Sequence, residues 1–434
     1  MPYDIIIGRD KSDIKKFQEK GLIKIGKGYV TMGNYTSLSN NIFIDVARSH
    51  VIMVCGKRGS GKSYTIGAIA EELSNLDKEV SENIAPIIFD TMGIFWTMKY
   101  KNDKEIELLQ EWDLKSKNLP VSIWVPYGYY EEYESRNIPV DNRFSIKPSE
   151  LTSEDWVTIF NLSITDPIAI VIENAVEKAP EDFEIEELIE IILKQNVEEK
   201  IKHAASSLLE AALSWGIFAK KGQEGTKIEE LINPGKTTIL DTSCYSSIGA
   251  FNVRALVIGL VCKKIFNQRM LERKREEMLA LEQGINYMNQ KKKDYPLVWI
   301  FIDEAHEFLP KETSEKTAAS DSLIQLLREG RQPGISLVLA TQQPGVIHRD
   351  AMTQADIVIA HRLTAQPDIE ALNSIMQTYL LENIQKAMAQ LPSQKGSAIL
   401  LDDNSERIYP IRVRPRFTWH GGEAPSAVKV KKEI

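Results

Sequence analysis

Hydrophobic and polar positions follow two alternating patterns along the chain. Short apolar runs bounded by turn-forming residues have the length of buried β-strands, and between them apolar residues recur every three or four positions, as in helices. Strands that alternate with helices favour a parallel sheet covered by helices on both faces. The pattern predicts an α/β fold with strands near 51–55, 85–90, 121–125, 237–241, 297–303, 336–340, 357–360 and 397–401.

Two segments interrupt this alternation. The first 49 residues contain short β-type runs between Gly, Asn and Ser turns, and they predict a small β-rich N-terminal module. Residues 148–233 are rich in helix formers at helical spacing, and they predict a helical insertion. The tail is basic and turn-rich, and we expect it to lie across a neighbouring subunit. The expected divisions are 1–49, 50–147, 148–233, 234–409 and 410–434.

The segment from Val51 to Ser63, VIMVCGKRGSGKS, joins an apolar strand to a glycine-rich turn. It fits the P-loop pattern, in which backbone N–H groups surround phosphate oxygens, the lysine reaches the β- and γ-phosphates and the hydroxyl takes a Mg²⁺ position. A helix-like stripe follows, so its N-terminus faces the phosphates. We expect ATP to be bound by Gly56, Lys57, Arg58, Gly59, Ser60, Gly61, Lys62, Ser63 and Tyr64, with Ser63 as a ligand of Mg²⁺.

A later apolar run, LVWIFID, ends in the adjacent acids Asp303 and Glu304. This is a Walker B pattern, in which Asp303 binds Mg²⁺ through water and Glu304 polarises the attacking water. The next predicted strand leads to Gln342, whose amide can hydrogen-bond the γ-phosphate or the water. Lys62, Glu304 and Gln342 are the expected catalytic residues of an ATPase that has an additional strand between its two motifs.

Three further residues have two interpretations each. Asp90 ends a predicted parallel strand at the edge where ligand crevices form, so we expect it on the nucleotide side; the alternative is a helix or turn cap. Arg328 and Arg331 precede the strand that leads to Gln342. In a ring, one of them could act on a neighbour's nucleotide as an arginine finger, and the alternative for each is a surface salt bridge.

A predicted helix from about Asn252 to Leu281 is basic, and a lysine-rich loop follows at 291–293. A charge run is most often a solvated face, and the second interpretation is a contact with nucleic acid or a partner. The loop after Asp90 and the loop at 291–293 are candidate pore loops. The basic residues of the helix are Lys263, Lys264, Arg269, Arg273, Lys274 and Arg275.

Composition narrows the class of protein. The 434 residues carry a formal charge of −8, which argues against a protein that binds nucleic acid over its whole surface but leaves room for a basic channel. The longest apolar run, 255–262, is too short to span a bilayer, and the N-terminus lacks a signal-peptide pattern. Cys55, Cys244 and Cys262 lack metal-ligand spacing and are expected to be buried thiols. We expect a cytoplasmic protein without membrane contact.

Several motifs in order, GKRGSGKS, FDTMG, INPGKTTILD, FIDEAHEF, LREGRQPGISLVLATQQP and RPRFTWHGG, resemble the HerA branch of the HerA–FtsK translocase ATPases. The resemblance covers roughly residues 48 to 422. It implies a RecA-like ATPase core in a homohexameric ring that moves double-stranded DNA through a central channel. It also implies a partnership with a nuclease such as NurA, and a basic residue ahead of the P-loop strand, where Arg48 and His50 stand.

The chain departs from the family pattern in three places. Its N-terminal module is shorter than the family's β-barrel. The motif FDTMG replaces the family's usual acid-proline and glycine-acid sequence, and Gln343 stands where relatives often have Arg. The expected function is ATP-driven translocation on DNA, in end processing or in defence. Two alternatives are a packaging or conjugation-type motor and a nucleotide-gated ring that organises an effector without moving DNA.

Overall fold

The computed structural model describes residues 3–32, 35–220, 222–245, 251–283, 293–375 and 381–423. Within these ranges thirteen strands form a single sheet. The strands are β1 (Ile5–Ile7), β2 (Leu22–Met32), β3 (Tyr35–Asp45), β4 (Val51–Cys55), β5 (Ile84–Asp90), β6 (Val121–Pro126), β7 (Asn142–Phe144), β8 (Thr237–Asp241), β9 (Leu297–Ile302), β10 (Ile335–Thr341), β11 (Ile357–His361), β12 (Ser397–Asp402) and β13 (Arg407–Val413).

The sheet order is β1-β3-β2-β13-β12-β11-β4-β10-β9-β5-β8-β6-β7. Neighbouring strands from β11 to β7 run parallel. The pairs β11–β12, β12–β13, β13–β2 and β2–β3 are antiparallel, and β1 pairs parallel with β3. Strand β10 lies between β4, which leads to the P-loop, and β9, which leads to Walker B. The predicted α/β fold and the additional strand between the two motifs are confirmed.

Helices cover both faces of this sheet. They are α1 (Lys11–Phe17), α2 (Lys62–Asn75), α3 (Lys78–Ser81), α4 (Ile106–Glu111), α5 (Tyr130–Ser135), α6 (Ser153–Ile159), α7 (Pro167–Lys178), α8 (Ile185–Leu193), α9 (Glu199–Leu213), α10 (Ile228–Leu231), α11 (Phe251–Gln283), α12 (Ser320–Glu329), α13 (Arg349–Thr353), α14 (Gln366–Ile375) and α15 (Leu381–Gln390). None of the helices in the described ranges is long and apolar enough to cross a membrane.

Alternation along the central strands explains the layered core. On β4, Met53 and Cys55 belong to the apolar cluster on one face of the sheet, whereas Ile52 and Val54 belong to the cluster on the other face. All four are fully buried. Because successive side chains point to opposite faces, a strand that is apolar throughout requires cover on both sides.

The N-terminal strands continue the core sheet. Strands β2 and β3 form a long hairpin, and β2 pairs with β13 through Ile411 opposite Gly28. Gly26 is needed at this junction because a Cβ there would lie 2.2 Å from the Arg412 carbonyl oxygen. The division expected at 409 falls inside β13, and the other expected divisions stay predictions.

Residues 148–233 form helices α6 to α10 and no strand in the part of this range that the structure describes. Thr152 caps α6 through a box with Asp155, whose N–H donates to the Thr152 hydroxyl at 3.3 Å. The helices pack on one another and against α11, and Trp156 lies fully buried at their centre. Apolar residues at helical spacing account for this packing.

The basic tail does not behave as expected. We define its described part after β13, residues 414–423, as the strap. It packs on its own chain, and Arg414 and Arg416 are fully buried rather than directed toward a neighbour. Their guanidinium groups contact the buried carboxylate of Glu71 in α2, a long-range pairing without a local sequence signal. Residues 424–434 lie outside the described ranges.

The basic side chains of α11 are mostly paired within the chain. Lys264 lies 2.7 Å from Glu150, Arg273 lies 2.9 Å from Glu277, and Arg269 is fully buried with its Nε donating to the Pro333 carbonyl. This pairing weakens the interpretation of the helix as a nucleic-acid contact. Of the candidate pore loop at 291–293, residues 291 and 292 lie outside the described ranges.

Candidate nucleotide site at the carboxyl edge of the sheet

The phosphate-binding turn extends from β4 to the start of α2. Gly61 has φ of +113°, a left-handed conformation that favours glycine. The Gly56 N–H donates to the Thr341 carbonyl at 3.3 Å, and the Lys57 N–H donates to the Arg362 carbonyl at 3.2 Å. The turn is thereby fixed to the ends of β10 and β11, the strands on either side of β4.

The two sequence motifs meet directly after the turn. The Ser63 hydroxyl donates to Asp303 Oδ2 at 2.6 Å, although the two residues are 240 positions apart. Lys62 is only 5% exposed, and burial lowers its pKa, while the charges of Glu304 and Asp303 act in the opposite direction. The ammonium group of Lys62 therefore lies close enough to the carboxylates of Asp303 and Glu304 to interact with their charges.

Glu304 has a strained backbone that directs its side chain into the site. Its φ of +51° and ψ of +44° lie in the left-handed region, which is uncommon for a residue with a side chain. The Gln342 amide donates to Glu304 Oε1, so the two predicted catalytic residues are in contact. Burial, with the charge of Asp303, raises the pKa of Glu304.

Tyr64 and Asp90 use their side chains away from the phosphate-binding turn. The Tyr64 hydroxyl donates to Glu105 at 2.9 Å and accepts the Arg416 N–H at 2.7 Å, which leaves the Tyr64 backbone for a nucleotide. Asp90 accepts the Phe95 N–H at 2.7 Å and further N–H groups of the following loop. The turn cap, the alternative interpretation of Asp90, describes these contacts, and its expected place among the nucleotide ligands finds no support in them.

Arg328 and Arg331 lie at the opposite edge of the sheet. They precede β10, whose seven residues span roughly 20 Å before Gln342 is reached. Arg328 pairs with Asp350 at 2.5 Å and is 60% exposed, and Arg331 is also exposed. Neither arginine lies beside the P-loop of its own chain, and a role in trans stays a prediction.

A family comparison decides the class of this site. The family model described as the central domain of helicase HerA matches residues 30–265, more than half of the chain. The chain belongs to this family. A second model, zonular occludens toxin (Zot), matches residues 228–366, which include Walker B. The HerA-type resemblance is confirmed, and the site is that of a P-loop ATPase.

Two curated HerA proteins are similar to part of the chain. The DNA double-strand break repair helicase HerA of Pyrococcus furiosus is 24% identical over 186 residues, which are 39% of this chain and 31% of that protein. The probable DNA double-strand break repair helicase HerA of Methanocaldococcus jannaschii is 24% identical over 182 residues, which are 38% and 36%. The alignments thus span about a third of those relatives.

Among solved structures, VirB4 of Thermoanaerobacter pseudethanolicus shares the fold of this HerA-type chain. The TM-score is 0.54 at 14% identity, and the match covers 91% of this chain and 96% of that one. The likeness covers nearly the whole chain. At this identity it concerns the fold alone.

The sequence patterns did not identify His361, whose side chain is bonded to α2, the helix that follows the HerA-type P-loop. It is fully buried; its Nε2 accepts the Thr65 hydroxyl at 2.8 Å, and its Nδ1 donates to the Ser397 carbonyl at 3.1 Å. Burial lowers the pKa of His361 to about 4, so the ring is neutral at pH 7. Its position as the polar residue directly after the predicted strand at 357–360 is the signal that could have identified it.

The basic residue expected ahead of the HerA-type P-loop strand has a structural role. His50 lies at the amino end of β4, away from the phosphate-binding turn, and its Nδ1 is 2.6 Å from Asp356. Its Nε2 is 3.4 Å from Asp45. Arg48 pairs instead with Asp13 at 2.9 Å near the surface. His50 thus joins the end of the N-terminal hairpin to the core, whereas Arg48 contacts α1.

Proposed function

We propose that this protein is a homohexameric motor that hydrolyses ATP with Mg²⁺ and moves along double-stranded DNA. The observation that supports ATP hydrolysis is the contact between the P-loop and Walker B, where Ser63 Oγ lies 2.6 Å from Asp303 Oδ2. A hydroxyl and a carboxylate are oxygen ligands of the kind that Mg²⁺ prefers. Ser63 and Asp303 are accordingly the proposed metal ligands.

Two buried oxygens support a ligand at this position. Ser60 Oγ and Glu304 Oε2 are buried and have no hydrogen-bond partner among the described residues. Such atoms are costly in a folded protein unless water, an ion or a ligand satisfies them. A phosphate oxygen held by the turn and by Lys62 would accept the Ser60 hydroxyl, and the attacking water would donate to Glu304 Oε2. Bound Mg²⁺ would neutralise part of the phosphate charge.

The proposed base is Glu304, with Gln342 as the residue that orients it and the attacking water. The Gln342 amide holds Oε1 of Glu304, so Oε2 is the oxygen left to accept the water proton. Burial raises the pKa of this carboxyl, which makes the carboxylate a stronger base than an exposed glutamate.

Movement on DNA is proposed from the family and from the distribution of charge. Both curated relatives are named as DNA double-strand break repair helicases. Residues 148–233 hold 18 acidic and 7 basic residues, so the formal charge of this insertion is −11. The whole chain has a formal charge of −8, and the residues outside the insertion therefore sum to +3. Phosphate contacts are therefore favoured outside the helical insertion. A nuclease of the NurA kind is the proposed partner in DNA end processing.

The test is the steady-state ATPase rate with and without double-stranded DNA, at low and moderate salt. We expect DNA to stimulate hydrolysis, with stimulation falling steeply as salt rises. Glu304→Gln should bind ATP but hydrolyse it at least about a hundredfold more slowly, and Lys62→Ala serves as the control for lost nucleotide binding.

Each outcome separates the alternatives. A wild-type rate in Glu304→Gln would contradict the proposed mechanism. Hydrolysis that is indifferent to DNA would favour another cargo or a nucleotide-gated scaffold. Light scattering with ATP and Mg²⁺ tests the ring, and a protein that stays monomeric there would contradict the proposed trans-acting arginine.

A further inference from the structure

Three consecutive residues at the start of α2 are each tied to a different part of the fold. Ser63 donates to Asp303 after β9 at 2.6 Å, and Thr65 donates to His361 at the end of β11 at 2.8 Å. Between them, Tyr64 is bonded to Glu105 and to the strap. The first helical turn of α2 is thus bonded to the end of β9, to the end of β11 and to the strap with the loop after β5.

The strap contacts one continuous face of α2. Tyr64, Gly67, Ala68 and Glu71 follow the i, i+3, i+4, i+7 spacing that places side chains on one side of a helix. A Cβ at Gly67 would lie 2.4 Å from Arg416 Nη1, so the guanidinium lies directly on the helix backbone there.

Glu71 fixes the distal end of this contact. Its fully buried carboxylate accepts the Arg416 Nε at 2.9 Å, the Phe417 N–H at 2.9 Å and the Thr418 N–H at 3.1 Å. Arg414 Nη2 also donates to the Ala68 carbonyl at 2.9 Å. Every one of these bonds joins residues more than 340 positions apart, so the contact joins the two ends of the chain.

The strap is also bonded to the loop after β5. The Asn102 N–H donates to the Phe417 carbonyl at 2.9 Å, and the Trp419 N–H donates to the Tyr100 carbonyl at 2.8 Å. The rings of His420 and Tyr64 meet edge to face, with centroids 5.2 Å apart. Glu105, which accepts the Tyr64 hydroxyl, belongs to the same loop, and Tyr64 therefore lies where strap, loop and P-loop helix converge.

We infer that the strap is part of the nucleotide site and that Tyr64 is the positioning residue through which it acts. This inference rests on the proposed binding of ATP with Mg²⁺. If the Ser63 hydroxyl becomes a metal ligand, its bond to Asp303 is given up, and Tyr64 and Thr65 then hold the first turn of α2 in place. Because linkage is reciprocal, a strap that favours ATP binding must itself be stabilised by bound ATP.

The first experiment compares Tyr64→Phe with Tyr245→Phe by titration with a fluorescent non-hydrolysable ATP analogue and Mg²⁺. Both changes remove one hydroxyl; that of Tyr245 donates to the Trp215 carbonyl at 2.7 Å, away from the P-loop. We expect the Kd of Tyr64→Phe to rise about tenfold, since two hydrogen bonds are lost. The Kd of Tyr245→Phe should stay within twofold of wild type.

A second pair of variants tests the acceptor. Glu105→Gln keeps an oxygen for the Tyr64 hydroxyl and should bind the analogue like wild type. Glu105→Ala removes one of the two hydrogen bonds of that hydroxyl and should raise the Kd about threefold, less than Tyr64→Phe does. Equal Kd values for both Glu105 variants, or for Tyr64→Phe and wild type, would overturn the inference. A loss of folding alone would lower the active fraction without changing Kd.

Hydrogen exchange gives the reciprocal measurement. In wild type, the analogue should slow exchange of the Phe417 and Thr418 amides more than that of amides in α7 and α9. Exchange in the strap that does not respond to the analogue would also overturn the inference. If wild-type protein binds no ATP analogue at all, the proposed function fails; if it binds and hydrolyses ATP but the variants behave alike, only the role of the strap fails.

Discussion

Two buried ionic clusters adjoin the two elements that flank the P-loop turn, and only one of them contains a histidine beside arginine. The strap cluster, Glu71 with Arg414 and Arg416, lies on α2 after the P-loop turn. The hairpin cluster, Arg9, Asp45, His50 and Asp356, lies at the amino end of β4. In both, the cations and the central carboxylate are shielded from solvent.

The difference lies in how each cluster responds to pH. In the strap cluster, burial disfavours the ionised Glu71, but Arg416 and Arg414 outweigh it and lower the pKa, and arginine stays protonated. In the hairpin cluster, burial lowers the pKa of His50, but Asp356 and Asp45 outweigh burial and raise the pKa to about 9. One junction is therefore permanent near neutral pH, and the other can be titrated.

The largest effect is expected from Glu71→Ala. The change leaves the buried Arg416 without a carboxylate and Arg414 with Glu72 alone, and it should lower the free energy of unfolding by about 3–5 kcal/mol. Glu72→Ala is the matched control, because Glu72 also contacts Arg414, at 2.8 Å, but leaves Glu71 in place. Denaturant unfolding of both variants measures the difference, and equal losses would contradict the central role assigned to Glu71.

The pH dependence of the hairpin cluster comes next. The folded-state pKa of His50, about 9, lies above its unfolded value of about 6.5, so the stabilisation is complete below pH 6.5 and is lost as the pH rises toward 9. The stability difference between wild type and His50→Gln should shrink by about 3 kcal/mol between pH 6 and pH 9.5. Unfolding curves at both pH values measure it, and a constant difference would show that folding does not raise the pKa of His50.

The two clusters also mark the limits of prediction from sequence. The P-loop, Walker B and the strands leading to them are local patterns, and the spacing of Lys62, Ser63, Asp303 and Glu304 was enough to infer that they meet. The tail was predicted to lie across a neighbour because its sequence is basic and turn-rich, yet Arg414 and Arg416 are buried within their own chain. Their partner, Glu71, is more than 340 positions away, and a lone acid on a helix gives no periodic signal.

The same reasoning explains why Asp90 and His361 were harder to interpret. A carboxylate at the end of a strand can face a ligand or cap its own turn, and only the positions of the following N–H groups separate the two. His361 ends β11, but its function depends on Thr65 and Ser397, which adjoin it only in the folded sheet.

The hydrogen bond between Thr65 and the neutral His361 should contribute less to the free energy of unfolding than either ionic cluster does. Thr65→Val removes the hydroxyl that donates to His361 and leaves a buried nitrogen unpaired, so we expect a loss of about 1–2 kcal/mol in unfolding free energy. Thr65→Ser retains the hydroxyl and should lose less than half of that. Thermal unfolding of the two variants gives the comparison, and a larger loss in Thr65→Ser would show that packing of the methyl group dominates.

The smallest effect on stability is expected at the exposed pair of Arg328 and Asp350. Because Arg328 is 60% exposed, Arg328→Ala should change the free energy of unfolding by less than about 1 kcal/mol, unlike the buried pairs. Hydrolysis is the sharper measurement, since an arginine that acts in trans contributes about 10³-fold or more. Arg331→Ala is the matched variant at the same edge. A large loss of rate in one of the two, with stability retained, identifies the trans-acting residue, and wild-type rates in both would remove these arginines from the mechanism.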